Sequence, residues 1–173
     1  MTLRLTVRSG PWEEQVAATA KAFGELIPVV KGNGYGFGSM VLMAHACVRS
    51  PMIAVGSVFE VHAVPPTHTA MVLTPVGIDL PTSLSPLTVL TVGARHHVEI
   101  LRLAGWSGSV VVKLQSSMRR YGATQSELQP LLDSLNQAGL TQVGWSVHPP
   151  LSGDSSDHIA DVATWLSQLD PLH

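Results

Sequence analysis

The stretch IPVVKGNGYGFG, residues 27–38, joins an apolar run to a glycine-rich loop and carries one lysine at the junction. A lysine at the mouth of an apolar strand loses part of its hydration, which favours the free amine that condenses with an aldehyde. The glycines let the backbone approach a ligand closely, and the phenol of Tyr35 can donate a hydrogen bond to an anionic oxygen. The stretch therefore predicts a site for an aldehyde held by Lys31. A strand-to-helix turn with a surface lysine is the alternative.

Two nucleotide-binding motifs are excluded by the spacing of this loop. The dinucleotide pattern GxGxxG needs glycine at position 37 or 39, where the chain has Phe37 and Ser39. The phosphate loop GxxxxGK needs a lysine after its last glycine, whereas Lys31 precedes the first one.

Around this stretch, continuous apolar runs alternate with helical patterns. Strands are predicted at residues 3–7, 26–31, 52–56, 70–74, 87–92, 109–114 and 143–147. Helices are predicted at residues 10–24, 39–48, 57–63, 94–104, 124–139 and 154–169. This alternation predicts an α/β fold with a parallel sheet covered by helices. Counted from the strand at 26–31 there are six βα units, which fit either a doubly wound open sheet or an incomplete (β/α)8 barrel.

Composition restricts the classes of partner. Ten Lys+Arg against twelve Asp+Glu give a net charge of −2 without a basic run, which argues against nucleic acid or an anionic membrane as the main partner. The single Cys47 cannot form an internal disulfide, and no apolar run has membrane-spanning length. We expect one domain over residues 1–173 in a cytoplasmic protein.

Residues 28–38 resemble the cofactor-lysine motif of alanine racemases, which reads roughly Val-Val-Lys-Ala-Asn-Ala-Tyr-Gly-His-Gly. In that family the lysine carries pyridoxal 5′-phosphate as an aldimine and the tyrosine contacts its phosphate. The resemblance gives these roles to Lys31 and Tyr35. It also implies a fold-type III, N-terminal (β/α)8 barrel, here incomplete with about six βα units, and a C-terminal β domain that this chain lacks. The departures are Gly32 and Gly34 for alanine and Phe37 for histidine.

A second landmark, KLQSSMRRYG at residues 113–122, follows the fifth strand counted in this way. It resembles the family pattern Lys-(Val/Leu)-Asp-Thr-Gly-Met-x-Arg-Leu-Gly. The resemblance assigns Arg120 to the cofactor and to the substrate carboxylate, Met118 to the substrate, and Lys113 to the support of Arg120. Residues 115–117 depart from Asp-Thr-Gly, so the substrate pocket is expected to differ. A solvated pair of arginines is the alternative.

A third landmark, GWSVHPP at residues 144–150, is similar to the family's Gly-x-x-Thr-His-Phe. It implies that His148 lies beside the cofactor ring, although Pro149 replaces the phenylalanine. A purely structural histidine is the alternative. The other histidines show no ligand spacing with cysteine or carboxylates, so no metal site is expected.

Together, the three landmarks imply a pyridoxal-phosphate-dependent isomerase that interconverts L- and D-alanine for D-alanine biosynthesis. Lys31 would be the catalytic acid and base on one face of a small amino-acid substrate. In the family, a tyrosine from the partner subunit's C-terminal domain serves the other face, so we expect a homodimer when full-length and an inactive isolated chain. The alternatives are a non-catalytic pyridoxal-phosphate-binding barrel protein and a truncated, inactive α/β module. The residues do not distinguish alanine from serine as the substrate.

Overall fold

The computed structural model describes residues 6–169, which form a parallel five-stranded sheet with helices between the strands. The strands lie side by side in chain order and every neighbouring pair is parallel. They are β1 Met52–Val55, β2 Thr69–Pro75, β3 Thr88–Val92, β4 Ser109–Leu114 and β5 Thr141–Val147. A doubly wound sheet reverses its strand order at a switch point, and this sheet does not. The fold is therefore a partial (β/α)8 barrel.

Within residues 6–169, five right-handed α-helices and one 3₁₀ helix accompany the sheet, and a further short helical segment, Gly32–Tyr35, is a left-handed turn. The right-handed helices are α1 Ser9–Phe23, α2 Ser39–Cys47, α3 Arg95–Leu103, α4 Gln125–Gln137, α5 Ser155–Leu169 and the 3₁₀ helix Val58–Ala63. The helix predicted at residues 57–63 is thus a 3₁₀ helix. The start of α4 is capped as its sequence predicts, since the N–H of Thr124 donates to Oε2 of Glu127 (3.0 Å). None of the helices within residues 6–169 has the length and apolar character needed to cross a membrane.

The strand predicted at residues 26–31 is wrong except for one bridge, which joins Val29 to Ala54 of β1. Two hydrogen bonds hold it: the N–H of Val30 donates to the oxygen of Ala54 and the N–H of Ala54 donates to the oxygen of Pro28, both at 2.8 Å. Pro28 has no N–H to donate, and the segment lies at the sheet edge, so pairing does not extend. In the part of the chain that the structure describes, the sheet has five strands and a bridge instead of the six strands counted from residue 26. Most of the strand predicted at 3–7 lies outside the described residues.

The core forms where one face of the sheet meets the helices. Val110, Val112 and Leu114 of β4 belong to the same buried cluster as Leu101 of α3 and Leu131 of α4. Side chains alternate along a strand, so Lys113 of β4 lies on the opposite face, which is the interior of the partial barrel. The strand that fills the core thus also directs a cation towards the barrel interior.

We predict that Leu101→Ala lowers the free energy of unfolding by about 2–5 kcal/mol, because it leaves a cavity under α3. Leu101 is 0 % exposed, whereas Leu103 on the same helix is 72 % exposed. The matched control Leu103→Ala should change the free energy by less than about 0.5 kcal/mol. Urea unfolding measures both, and equal losses would contradict the burial described here.

Candidate functional site

The six residues singled out from the sequence line one cleft of about 430 Å³ at the carboxyl ends of the strands. They are Lys31, Tyr35, Lys113, Met118, Arg120 and His148. His148 directly follows β5, and Lys113 lies one residue before the end of β4. Because carboxyl ends of parallel strands meet at the same edge, residues from distant parts of the chain come together here. Arg119, the neighbour of Arg120, is not part of this lining.

The backbone after Lys31 forms a left-handed turn. Lys31 itself is extended, with φ −144° and ψ 164°. The φ values of Gly32, Asn33, Gly34 and Tyr35 are 56°, 53°, 63° and 54°. Left-handed backbone costs an L-residue about 1–2 kcal/mol, which the glycines avoid. The glycines at the two positions where the family motif has alanine therefore ease this turn.

The turn places Tyr35 next to Lys31. The N–H of Tyr35 donates to the oxygen of Lys31 (3.0 Å), and Nζ of Lys31 lies 5.9 Å from the centroid of the Tyr35 ring. At Gly34 a Cβ would lie 3.1 Å from the nitrogen of Ser39, so a side chain there would press on the start of α2. The loop thus presents an amine and a phenol together at the cleft.

Sequence reasoning missed two residues that support Lys31. A Cβ on Gly56, which follows β1, would lie 3.3 Å from Cβ of Lys31 and 2.7 Å from Oε2 of Glu60. Oε1 of Glu60 accepts a hydrogen bond from the N–H of Gly32 (2.9 Å). The spacing from Ser57 to Glu60 is typical of a capping box, but this motif predicts only the bond between these two residues and not the bond to Gly32.

The loop that carries Met118 and Arg120 closes on itself. The N–H of Ala123 donates to the oxygen of Lys113, and the N–H of Gln115 donates to the oxygen of Ala123, both at 2.9 Å. Gly122 adopts φ +117°, and a Cβ there would lie 2.5 Å from the carbonyl carbon of Leu114. Only glycine fits this close approach to β4. The loop therefore leaves β4 and returns to it, and Met118 and Arg120 of this loop line the cleft.

The segment at residues 115–117 is held from two sides. Oγ of Ser116 donates to the oxygen of His148 (2.7 Å), and Oγ of Ser117 donates to Oδ2 of Asp161 on α5 (2.7 Å). Nε1 of Trp165, also on α5, donates to the oxygen of Gln115 (2.7 Å). The residues that depart from the family's Asp-Thr-Gly therefore anchor this loop to β5 and α5.

The cleft is cationic. Burial lowers the pKa of Lys113, and the charges of Arg120 and Lys31 act in the same direction. Burial also lowers the pKa of His148, with further contributions from the charges of Lys113, Arg120 and Lys31. No carboxylate is among the cleft-lining residues of the described chain. The arrangement suits a ligand with several anionic oxygens, and residues 6–169 contain no group of three or more metal-binding side chains.

Comparison with known proteins identifies one matching family. The family described as "Alanine racemase, N-terminal domain" matches residues 12–172. No curated protein sequence matches the chain.

Solved structures share the fold. Alanine racemase from Bacillus anthracis with bound L-Ala-P superposes with a TM-score of 0.74 at 22% identity, covering 91% of this chain and 45% of that one. Biosynthetic alanine racemase from Pseudomonas aeruginosa gives 0.73 at 18% identity, covering 92% and 48%. Arginine decarboxylase from Paramecium bursaria Chlorella virus, bound to agmatine, gives 0.73 at 14% identity, covering 91% and 47%. The chain spans about half the length of these proteins.

We predict that Lys113→Met raises the pKa of His148, because it removes a positive charge that disfavours the imidazolium. A pH titration of the histidine Cε1–H resonances by NMR measures this. Lys21→Met, at an exposed position of α1, should leave the His148 titration unchanged. An unchanged pKa of His148 in Lys113→Met would contradict the charge interactions described for the cleft.

Proposed function

Because the chain belongs to the alanine racemase N-terminal domain family, we propose that it binds pyridoxal 5′-phosphate through Lys31 and forms the barrel part of an amino-acid racemase. The reaction proposed is the interconversion of L- and D-alanine. The observation that carries the proposal is that Lys31, Lys113 and Arg120 line one cleft that no carboxylate of the described chain lines. A small amino-acid substrate, a homodimer when full-length and a cytoplasmic location belong to the same proposal.

The residues present fit this cofactor, which combines an aldehyde, a phosphate and a phenolate oxygen. The amine of Lys31 suits the aldehyde, and the phenol of Tyr35 would donate to the phosphate. The planar guanidinium of Arg120 stays charged and would pair with the ring oxygen and with the substrate carboxylate. His148 would lie beside the ring, and Met118 would contact the substrate.

Proton transfer at the substrate α-carbon is the chemistry that this chain would serve. When bound, pyridoxal phosphate supplies an aldehyde for the amine of Lys31 and a conjugated ring that takes up an electron pair from the α-carbon. Lys31 would take the α-proton at Nζ in one direction of the reaction, and in the reverse direction it would donate a proton from the same atom to the same face. Arg120 would orient the carboxylate. Lys113 would support Arg120 in the same cleft, where burial and the charges of Arg120 and Lys31 lower its pKa.

Proton return to the opposite face requires a second group. We assign it to the partner subunit of the full-length homodimer, in line with the family resemblance.

A second candidate is decarboxylation of an amino acid on the same barrel. The viral arginine decarboxylase superposes with a TM-score of 0.73, close to the 0.74 of the Bacillus anthracis racemase. A non-catalytic carrier of pyridoxal phosphate is a third candidate, because binding of the cofactor at Lys31 does not require turnover. Assays of the full-length gene product distinguish the three candidates. A racemase converts L-alanine to D-alanine, a decarboxylase releases carbon dioxide from an amino acid, and a carrier binds the cofactor without turnover.

We predict that borohydride reduction in the presence of pyridoxal phosphate attaches the cofactor to Lys31, and that Lys31→Ala abolishes attachment at that site. Peptide mapping by mass spectrometry measures the label. The control Lys21→Ala should retain it, because Lys21 is exposed on α1 and lies outside the cleft. A folded chain without label at Lys31 would contradict the proposal.

In the full-length gene product, we predict that Lys31→Ala slows racemisation of alanine by about 10²–10⁴-fold, the range for loss of a general acid–base group. The measurement is the rate of D-alanine formation from L-alanine. An unchanged rate of D-alanine formation would contradict a catalytic role for Lys31.

A further inference from the structure

The two carboxylate oxygens of Glu60 accept hydrogen bonds from two different segments of the chain. Oε2 accepts a hydrogen bond from the N–H of Ser57 (2.8 Å), which completes the capping box of the 3₁₀ helix. Oε1 accepts one from the N–H of Gly32 (2.9 Å), 28 residues away in sequence. Capping requires only the first bond. The second joins the 3₁₀ helix to the residue that directly follows Lys31.

Gly56 brings this carboxylate close to the lysine stem. A Cβ built on Gly56 would lie 2.7 Å from Oε2 of Glu60 and would also meet Cβ and Cδ of Lys31, at 3.3 and 3.6 Å. The glutamate and the alkyl part of the lysine therefore pack around one glycine backbone. Glu60 does not line the cleft, so it reaches the site only through its contact with the lysine loop.

The turn is also held within itself, since the N–H of Tyr35 donates to the oxygen of Lys31 and the N–H of Ser39 donates to Oδ1 of Asn33, but the space around Gly32 itself is open. Gly32 adopts φ +56°, and a Cβ there would meet nothing within 4 Å. The turn that it begins contains five successive residues at positive φ, from Gly32 to Gly36, and L-residues disfavour this conformation at Asn33 and Tyr35. An acceptor at the first N–H of the turn therefore selects this conformation over the others open to a glycine.

We propose that Glu60 is a positioning residue for Lys31: its bond to Gly32 holds the left-handed turn and thereby fixes how the lysine enters the cleft. This inference rests on the proposed function. Glu60 does not touch the reacting atoms. Its role is to favour Lys31 over Lys113, the other amine of the same cleft, in capture of the cofactor aldehyde.

The chain offers a matched control. Glu127 forms the same kind of capping box at α4, with the N–H of Thr124 donating to Oε2 (3.0 Å), and it does not line the cleft. Glu60→Gln and Glu127→Gln change the same chemistry in the same local motif. The two N–H groups donate to different oxygens of Glu60, and a glutamine at position 60 has an acceptor oxygen at only one of these two places.

The test uses the chain of 173 residues with pyridoxal phosphate and borohydride, and it measures the ratio of label at Lys31 to label at Lys113. For Glu60→Gln we expect this ratio to fall about fivefold, the size expected for loss of one hydrogen bond. Glu127→Gln should keep the ratio of the unaltered chain. Without cofactor, amide hydrogen exchange in residues 28–38 should become faster in Glu60→Gln only.

Glu60→Asp provides a second variant, because its shorter side chain cannot reach both N–H groups and should shift the ratio in the same direction. Circular dichroism establishes that each variant is folded, and Glu60→Asp decides if Glu60→Gln is not. An unchanged ratio in the folded variant overturns the role of Glu60 alone. No label at Lys31 in the unaltered chain overturns the proposed function, and the inference falls with it.

Discussion

Parallel pairing of neighbouring strands is the constraint on which the site depends. Leu114 of β4 pairs with Val147 of β5, so the loop after β4 and His148 begin at one level of the sheet. The bridge between Val29 and Ala54 brings Lys31 opposite Gly56 two residues further on. Register therefore decides which loop residues meet, although they lie far apart in the chain. The side chains that carry chemistry come from segments that leave the sheet at the same edge.

Backbone strain is concentrated in the same two loops. The non-glycine residues with positive φ within residues 6–169 are Asn33, Tyr35, Arg119 and Tyr121. Two follow Lys31 and two flank Arg120. Such conformations cost about 1–3 kcal/mol each and persist only where surrounding contacts impose them. Here those contacts are the bond from Gly32 to Glu60 and the closure of the Arg120 loop against β4. The sheet and core thus hold both loops in conformations that they would not adopt alone.

Much of this could be predicted from local patterns. Apolar runs predict β1–β5, and the Thr124 capping box predicts where α4 begins. The predicted strand at 26–31 is reduced to a bridge because Pro28 cannot donate and the segment pairs on one side only. Strand order does not follow from local patterns, since it depends on packing between elements. Local patterns also do not predict the roles of Glu60 and Gly56, because both contact the Lys31 loop from a distant part of the chain, as in the bond across 28 residues from Gly32 to Glu60.

A crystal structure of the chain after borohydride reduction with pyridoxal phosphate would show directly whether Lys31 holds the cofactor. We expect electron density continuous from Nζ of Lys31 into the cofactor, with Arg120 and His148 on the walls of the same cleft. Density attached elsewhere, an amine of Lys31 in bulk solvent, or Arg120 and His148 opening onto a different rim would contradict this expectation.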